Sequence, residues 1–238
     1  MQNEITKLKD IHKDKDIWVL AAGASMSYVN PTFFENKITV GVNRICKNFK
    51  CDYVVAKDGR GFKEILSAID YNTELILSKH ESGNLHQNLN SVEYDHYIFE
   101  HPAKPGEAPN LNCISKDSDK IVVSYSTITS AIHIAAYMGA KNIIICGHDC
   151  GTIDGEAVVG GYYQDIKPHQ GSMFAYTQWL SKIENHTVAV SNQIEKVYEC
   201  NICSLNPFIN FNLEGHTYNP SNKGVKFQRS KKIGVNNQ

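Results

Sequence analysis

No stretch of 18 consecutive apolar residues occurs in the 238-residue chain, which excludes a helical membrane span. Charge of one sign is also missing. Lys plus Arg number 24 against 25 Asp plus Glu, a net charge of −1, and nothing suggests a surface for nucleic acid. The seven cysteines form a single C-x-x-C, Cys200-Asn201-Ile202-Cys203, with no second pair to complete a four-cysteine set. Cys46, Cys146 and Cys203 lie inside apolar runs, so they read as reduced thiols, with neither a disulfide framework nor a zinc site. There is no Walker loop, no Ser/His/Asp order, no metal-ligand spacing, no internal repeat and no low-complexity tract. The opening MQNEITKLKDIHKDKD is too charged for a signal peptide. These absences lead us to expect a cytoplasmic protein.

What remains is enough to fold. With 42% hydrophobic residues the chain can bury one large core. We expect a single domain over 1–212 with a lid-like insertion at 150–168. A loosely packed extension at 213–238, rich in Asn, Lys and Gly, would follow.

The organising stretch is Ile17 to Ser27. An apolar run, Ile17-Trp18-Val19-Leu20, leads straight into Ala21-Ala22-Gly23-Ala24-Ser25, a strand ending in a turn of small residues. Such a turn lets a ligand or its phosphate approach the backbone amides, though a plain strand-to-helix turn has the same spacing. Apolar runs predict further strands at Ile38–Val42, Asp52–Ala56, Glu74–Leu77, Tyr97–Phe99, Ile121–Val123, Asn142–Cys146 and Asn201–Leu205. Helical spacing predicts Asn3–Lys13, Phe62–Ile69, Thr127–Gly139 and a long helix over Ser172–Glu199 with a break near Asn185. Helices feeding fully apolar strands predict a doubly wound α/β, Rossmann-like, mostly parallel sheet with helices on both faces.

In such sheets ligands bind beyond the C-terminal ends of the strands. Four of these ends are small or polar: Ala22/Gly23/Ser25, Asn43, Asp58, and Gly147/His148/Asp149. Asn43 and Asp58 also fit simple turn formers, and Asp149 fits a cap. Thr129 and Ser130 open a helix, where free amides favour an anion, or act as ordinary caps. His148, His169 and His186 are the candidate bases.

These residues resemble the DUF115, or MptE-like, proteins and the related bacterial lipooligosaccharide sialyltransferases of glycosyltransferase family 42. The family's Gly-x-Gly-Pro-Ser-Leu turn is matched by Ala21-Ala22-Gly23-Ala24-Ser25-Met26. Its Asn after strand two is matched by Asn43. Its Ile-Thr-Ser helix start is matched by Ile128-Thr129-Ser130, and its Gly-x-Asp strand end by Gly147-His148-Asp149. Glu195-Lys196-Val197-Tyr198 and Asn206-Pro207 fit the closing helix and strand exit. The turn departs at Ala21, Ala24 and Met26, and Asp58 replaces an Asn-like position.

The resemblance implies a nucleotide-dependent transferase using a CMP-sugar-like donor and a glycan or small-molecule acceptor, without a cofactor. His186 or His169 would be the base, and Tyr162 and Tyr163 would meet the leaving phosphate. A glycolipid acceptor would bring the protein to a membrane surface, and a homo-oligomer is compatible with the chain. The other branch implies an ATP- and Mg2+-dependent diphosphokinase of the 6-hydroxymethyl-dihydropterin type, with Asp58 and Asp149 as magnesium ligands. A non-catalytic nucleotide- or sugar-binding protein is the third reading.

Overall fold

Eight strands, all parallel, form one sheet in the order β1-β6-β5-β4-β3-β2-β7-β8. The computed structural model describes residues 2–57, 62–79, 94–100, 108–150, 158–159 and 173–205, the last with backbone only over 173–181. The strands are β1 (Gln2–Glu4), β2 (Asp16–Leu20), β3 (Ile38–Val42), β4 (Tyr53–Ala56), β5 (Glu74–Ser78), β6 (His96–Phe99), β7 (Asn142–Cys146) and β8 (Asn201–Ser204). The helices are α1 (Phe62–Ala68), α2 (Thr127–Tyr137) and α3 (Met173–Tyr198).

Each strand alternates its side chains between two cores. Val19, Val40, Val55, Ile76, Ile143 and Ile145 face the side covered by α2 and α3. Leu20, Val54, Leu75, Leu77 and Ile144 face the side covered by α1 and the aromatic turns around Phe34 and Phe49. From β2 to β6 the chain steps one way across the sheet, and then it returns past β2 to place β7 and β8. Reversal of direction puts the later helices on the opposite face, because parallel crossovers keep one hand. The switch point lies between β2 and β7.

Every residue of α2 is buried, so its polar side chains need internal partners. Thr129 donates to the Ser126 carbonyl at 2.9 Å and meets the Ser124 hydroxyl at 2.9 Å, and Ser130 donates to the Val122 carbonyl at 2.8 Å. The Val122 amide donates to His133 Nδ1 at 3.0 Å. That leaves the ring hydrogen on Nε2, which donates to the Tyr198 hydroxyl at 3.0 Å. Tyr198 passes its own hydrogen to the Ser115 carbonyl at 3.2 Å, tying α2 to α3 and to the preceding loop.

Beyond shifts of one or two residues at other element ends, the structure departs from the sequence expectations in four places. The N-terminal helix is instead β1 followed by a 3-10 turn, Ile5–Leu8. Spacing by three suits both helix types, but only Ile5 and Leu8 are buried while Ile11 is 44% exposed. Residues 121–123 are buried and extended but join no strand. The long helix α3 runs unbroken past Asn185. The predicted strand over 97–99 gains His96, which pairs with Gln2 and Leu75. The extension at 213–238 and most of the insertion at 150–168 lie outside the described residues. No helix among the described residues is long and apolar enough to cross a membrane, and all seven cysteines are free.

Candidate functional site

The C-terminal ends of β4, β3, β2 and β7 stand side by side along one rim, carrying Lys57, Asn43, Gly23 and Gly147 in that order. Three strand spacings make this rim about 14 Å wide. Of the predicted strand-end residues, Gly23, Asn43 and Gly147 are therefore at one edge, but they do two different jobs.

At the switch point the two turns are stitched to each other. The Gly23 amide donates to the Gly147 carbonyl at 2.7 Å. The Ser25 amide and hydroxyl donate to the two oxygens of Asp149 at 2.7 and 2.6 Å. A Cβ on Gly23 would overlap the Gly147 carbonyl and the Asp149 carboxylate. Gly147 has φ +70° and faces Met26 and the Ala21 carbonyl. From the insertion, Val158 bridges Gly23 and the Val159 amide donates to the Ala22 carbonyl at 2.9 Å. The close approach is between parts of the chain, and the Gly23 and Ser25 amides are already engaged. Both Asp149 oxygens accept from Ser25. No group of three or more His, Cys, Asp or Glu side chains that could hold a metal occurs among the described residues.

Further along the rim the polar groups open around the start of α2. Asn43 adopts φ +52°, a left-handed conformation that Asn tolerates, and its side-chain amide donates to the Thr127 hydroxyl at 3.4 Å. Next to it, Arg44 and Lys47 both pair with Glu64 of α1, at 3.1 and 3.0 Å. Lys57 is buried, and its ammonium donates to the Ser124 and Tyr125 carbonyls at 2.7 and 3.3 Å. It therefore lies at the positive end of the α2 dipole, where Ser126 makes no side-chain cap and the first amides favour an anion. From α3, the Lys182 ammonium sits 5.0 Å over the Tyr125 ring. His186 lies one turn on, on the same helix face. Burial first, and then the Lys182 charge, hold its imidazole below the ordinary 6.5. Its Nδ1 is buried with no hydrogen-bond partner among the described residues.

Of the other predicted residues, Thr129 and Ser130 turn their hydroxyls into the core, as described above, and only the α2 backbone faces the rim. His148 is buried against Cys150, whose sulfur is 3.4 Å from its Nε2. Asp58, Tyr162, Tyr163 and His169 lie outside the described residues. Lys57, Tyr125 and Lys182 were not singled out from sequence. Lys57 is the first polar residue after the apolar β4, and Lys182 precedes His186 by four. Those are the signals that could have found them.

The buried groups fix a pH dependence of stability. Burial lowers His133 to about 3 and His148 to about 4. In the unfolded chain both take up protons near 6.5, so acidification through that window favours unfolding. Asp149 works the other way: burial raises it to about 6 against the donors from Ser25. Between about pH 4 and 6 the folded state keeps a proton there that the unfolded chain has released. Two protons against one leave a net loss of about 1.4 kcal/mol of stability per pH unit on going from pH 6 to 4. Urea unfolding at pH 6, 5 and 4 measures this slope; a stability that rises on acidification contradicts it.

No protein-family model and no curated protein matches the chain, so the MptE-like branch rests on the motifs quoted above. Solved structures do match. The sialyltransferase CstII from Campylobacter jejuni, in complex with the substrate analogue cytidine-5'-monophosphate, is 11% identical with a TM-score of 0.50, covering 92% of each chain. The monofunctional alpha-2,3-sialyltransferase Cst-I from Campylobacter jejuni is 13% identical with a TM-score of 0.54, covering 94% of this chain and 87% of its own. A variant of Cst-II in complex with CMP is 12% identical with a TM-score of 0.51, covering 90% of each. At such identities the likeness is one of fold, and it extends over nearly the whole chain.

Proposed function

We propose that the protein is a nucleotide-dependent glycosyltransferase that binds a CMP-sugar-like donor along the rim. The observation that carries this is the convergence of Asn43, buried Lys57, the uncapped start of α2 and Lys182 beside His186. A phosphate at the α2 amides is favoured by the helix dipole and by both lysines. Asn43 is placed to hydrogen-bond the nucleotide next to it. His186, kept neutral by burial and Lys182, takes the proton of an acceptor hydroxyl as that oxygen attacks the sugar carbon. The nucleotide leaves with its phosphate still on the α2 amides, where the positive end of the helix stabilises the charge. The fold shared with enzymes solved with CMP supports the choice of nucleotide.

A thermal-shift panel of CMP, UDP, GDP and ATP, each with and without magnesium, tests the reading. CMP at 100 times its Kd should add about 2.7 kcal/mol of stability, independent of magnesium. A shift with ATP and magnesium alone would favour the diphosphokinase instead, and no shift with any nucleotide would remove the proposal. Asn43→Gly keeps the left-handed backbone and removes the carboxamide. It should leave the melting temperature within a few degrees and weaken CMP binding about tenfold, the loss of one hydrogen bond to a charged or polar ligand group.

A further inference from the structure

We propose that Asp149 is a positioning residue, whose carboxylate takes both the amide and the hydroxyl hydrogen of Ser25 and so fixes the turn after β2 as one wall of the site. The proposal rests on the reading of the rim as a nucleotide site. Its geometry is specific. Two donors from one residue meet the two oxygens of one carboxylate at 2.7 and 2.6 Å, a charge-assisted pair. Asp149 is 3% exposed and Ser25 9%. The turn has no slack in which to make the contact otherwise, since Gly23 abuts Gly147 and Asp149 while Val159 holds Ala22 from the far side.

A carboxamide would fill the same place at lower cost, because it carries no charge to desolvate. What only a carboxylate does is accept from both groups. With an ionised Asp149 the Ser25 hydroxyl must donate inward, and its remaining lone pairs meet a ligand as an acceptor. With Asn, or with a protonated Asp149, the side chain donates to Ser25 and the hydroxyl hydrogen is released. The charge on Asp149 thus makes the turn a partner for a hydroxyl or amino group of the nucleoside, and it directs the phosphate to Asn43 and α2. The described titratable groups around Asp149 are His148 and Cys150 on its own turn and Glu184 of α3, which raises the Cys150 thiol after burial. None of these supplies a positive charge at neutral pH, since burial keeps His148 neutral.

The experiment compares wild type, Asp149→Asn and Ser25→Ala. At pH 7.5, Asp149→Asn should melt at or above the wild-type temperature, yet bind CMP at least tenfold more weakly. Ser25→Ala keeps the amide bond and should melt within a few degrees of wild type with a similar loss of binding. Wild-type affinity should fall as the pH is lowered through about 6, while Asp149→Asn shows no such limb. Variants that bind CMP as wild type does, with the same pH profile, overturn the proposal. So does an Asp149→Asn that melts well below wild type, which would make the charge purely structural. If wild type binds no nucleotide, the nucleotide reading fails. The clasp itself is still read by NMR: the Ser25 amide proton should titrate near pH 6 in wild type and stay flat in Asp149→Asn.

Discussion

Replacing His186 by Asn should lower kcat for sugar transfer by about 10²- to 10⁴-fold, the usual contribution of a positioned general base, while CMP affinity changes little. The asymmetry follows from placement. The proposed nucleotide contacts come from Asn43, Lys57, the Ser25 turn and the α2 backbone, and His186 meets the acceptor. The pH profile adds a second readout. A base must be deprotonated, so kcat at saturating donor should rise with pH through a midpoint below 6.5, because burial and Lys182 both disfavour the imidazolium. The variant should lose this limb. Equal losses of CMP affinity and of rate would assign His186 to binding, and an unchanged rate would remove it from the chemistry.

Gly147→Ala should lower the melting temperature by roughly 5–15 °C. Two terms add. A residue with a side chain in the left-handed region costs about 1–2 kcal/mol, and Gly147 has φ +70°. Forcing a methyl into packed space costs about 1–3 kcal/mol more. Here Met26 could shift but the Ala21 carbonyl is fixed, because the Ala21 amide is held by the Cys146 carbonyl at 2.8 Å. For a chain of this size each 1 kcal/mol is about 2–4 °C. Thermal unfolding followed by circular dichroism measures the drop, and a loss of under 2 °C would show that the two turns can part.

Much of the fold was legible because parallel strands covered on both faces must be apolar throughout. Ile38–Val42 and Asn142–Cys146 carry that signal apart from Thr39, Gly41 and Asn142, and the structure returns those bounds. β1 could not be read this way. Gln2, Asn3 and Glu4 have no apolar pattern, and their pairing depends on β6, more than ninety residues away. The site was legible as a place more than as a set of contacts. Polar strand ends do assemble at one rim, but sequence does not say which way a hydroxyl points. Thr129 and Ser130 sit at the predicted helix start and face inward, because α2 is buried on all sides. Gly23 looked like room for a ligand, and the space is filled by Gly147 and Asp149. Lys57 stood beside the more conspicuous Asp58, and only the fold shows its ammonium under the start of α2.

The all-parallel order of the sheet also bears on how the molecule assembles. No two neighbouring strands can be joined by a tight hairpin, so each pairing waits for an intervening crossover to collapse. Residues 2–4 find their partners only once residues 96–98 are in place, and β7 must thread back beside β2 after five strands have been laid down. Such distant pairings are slow to form. Until β7 arrives, the flank of β2 stays bare during refolding, and it is there that association between unfinished chains would begin.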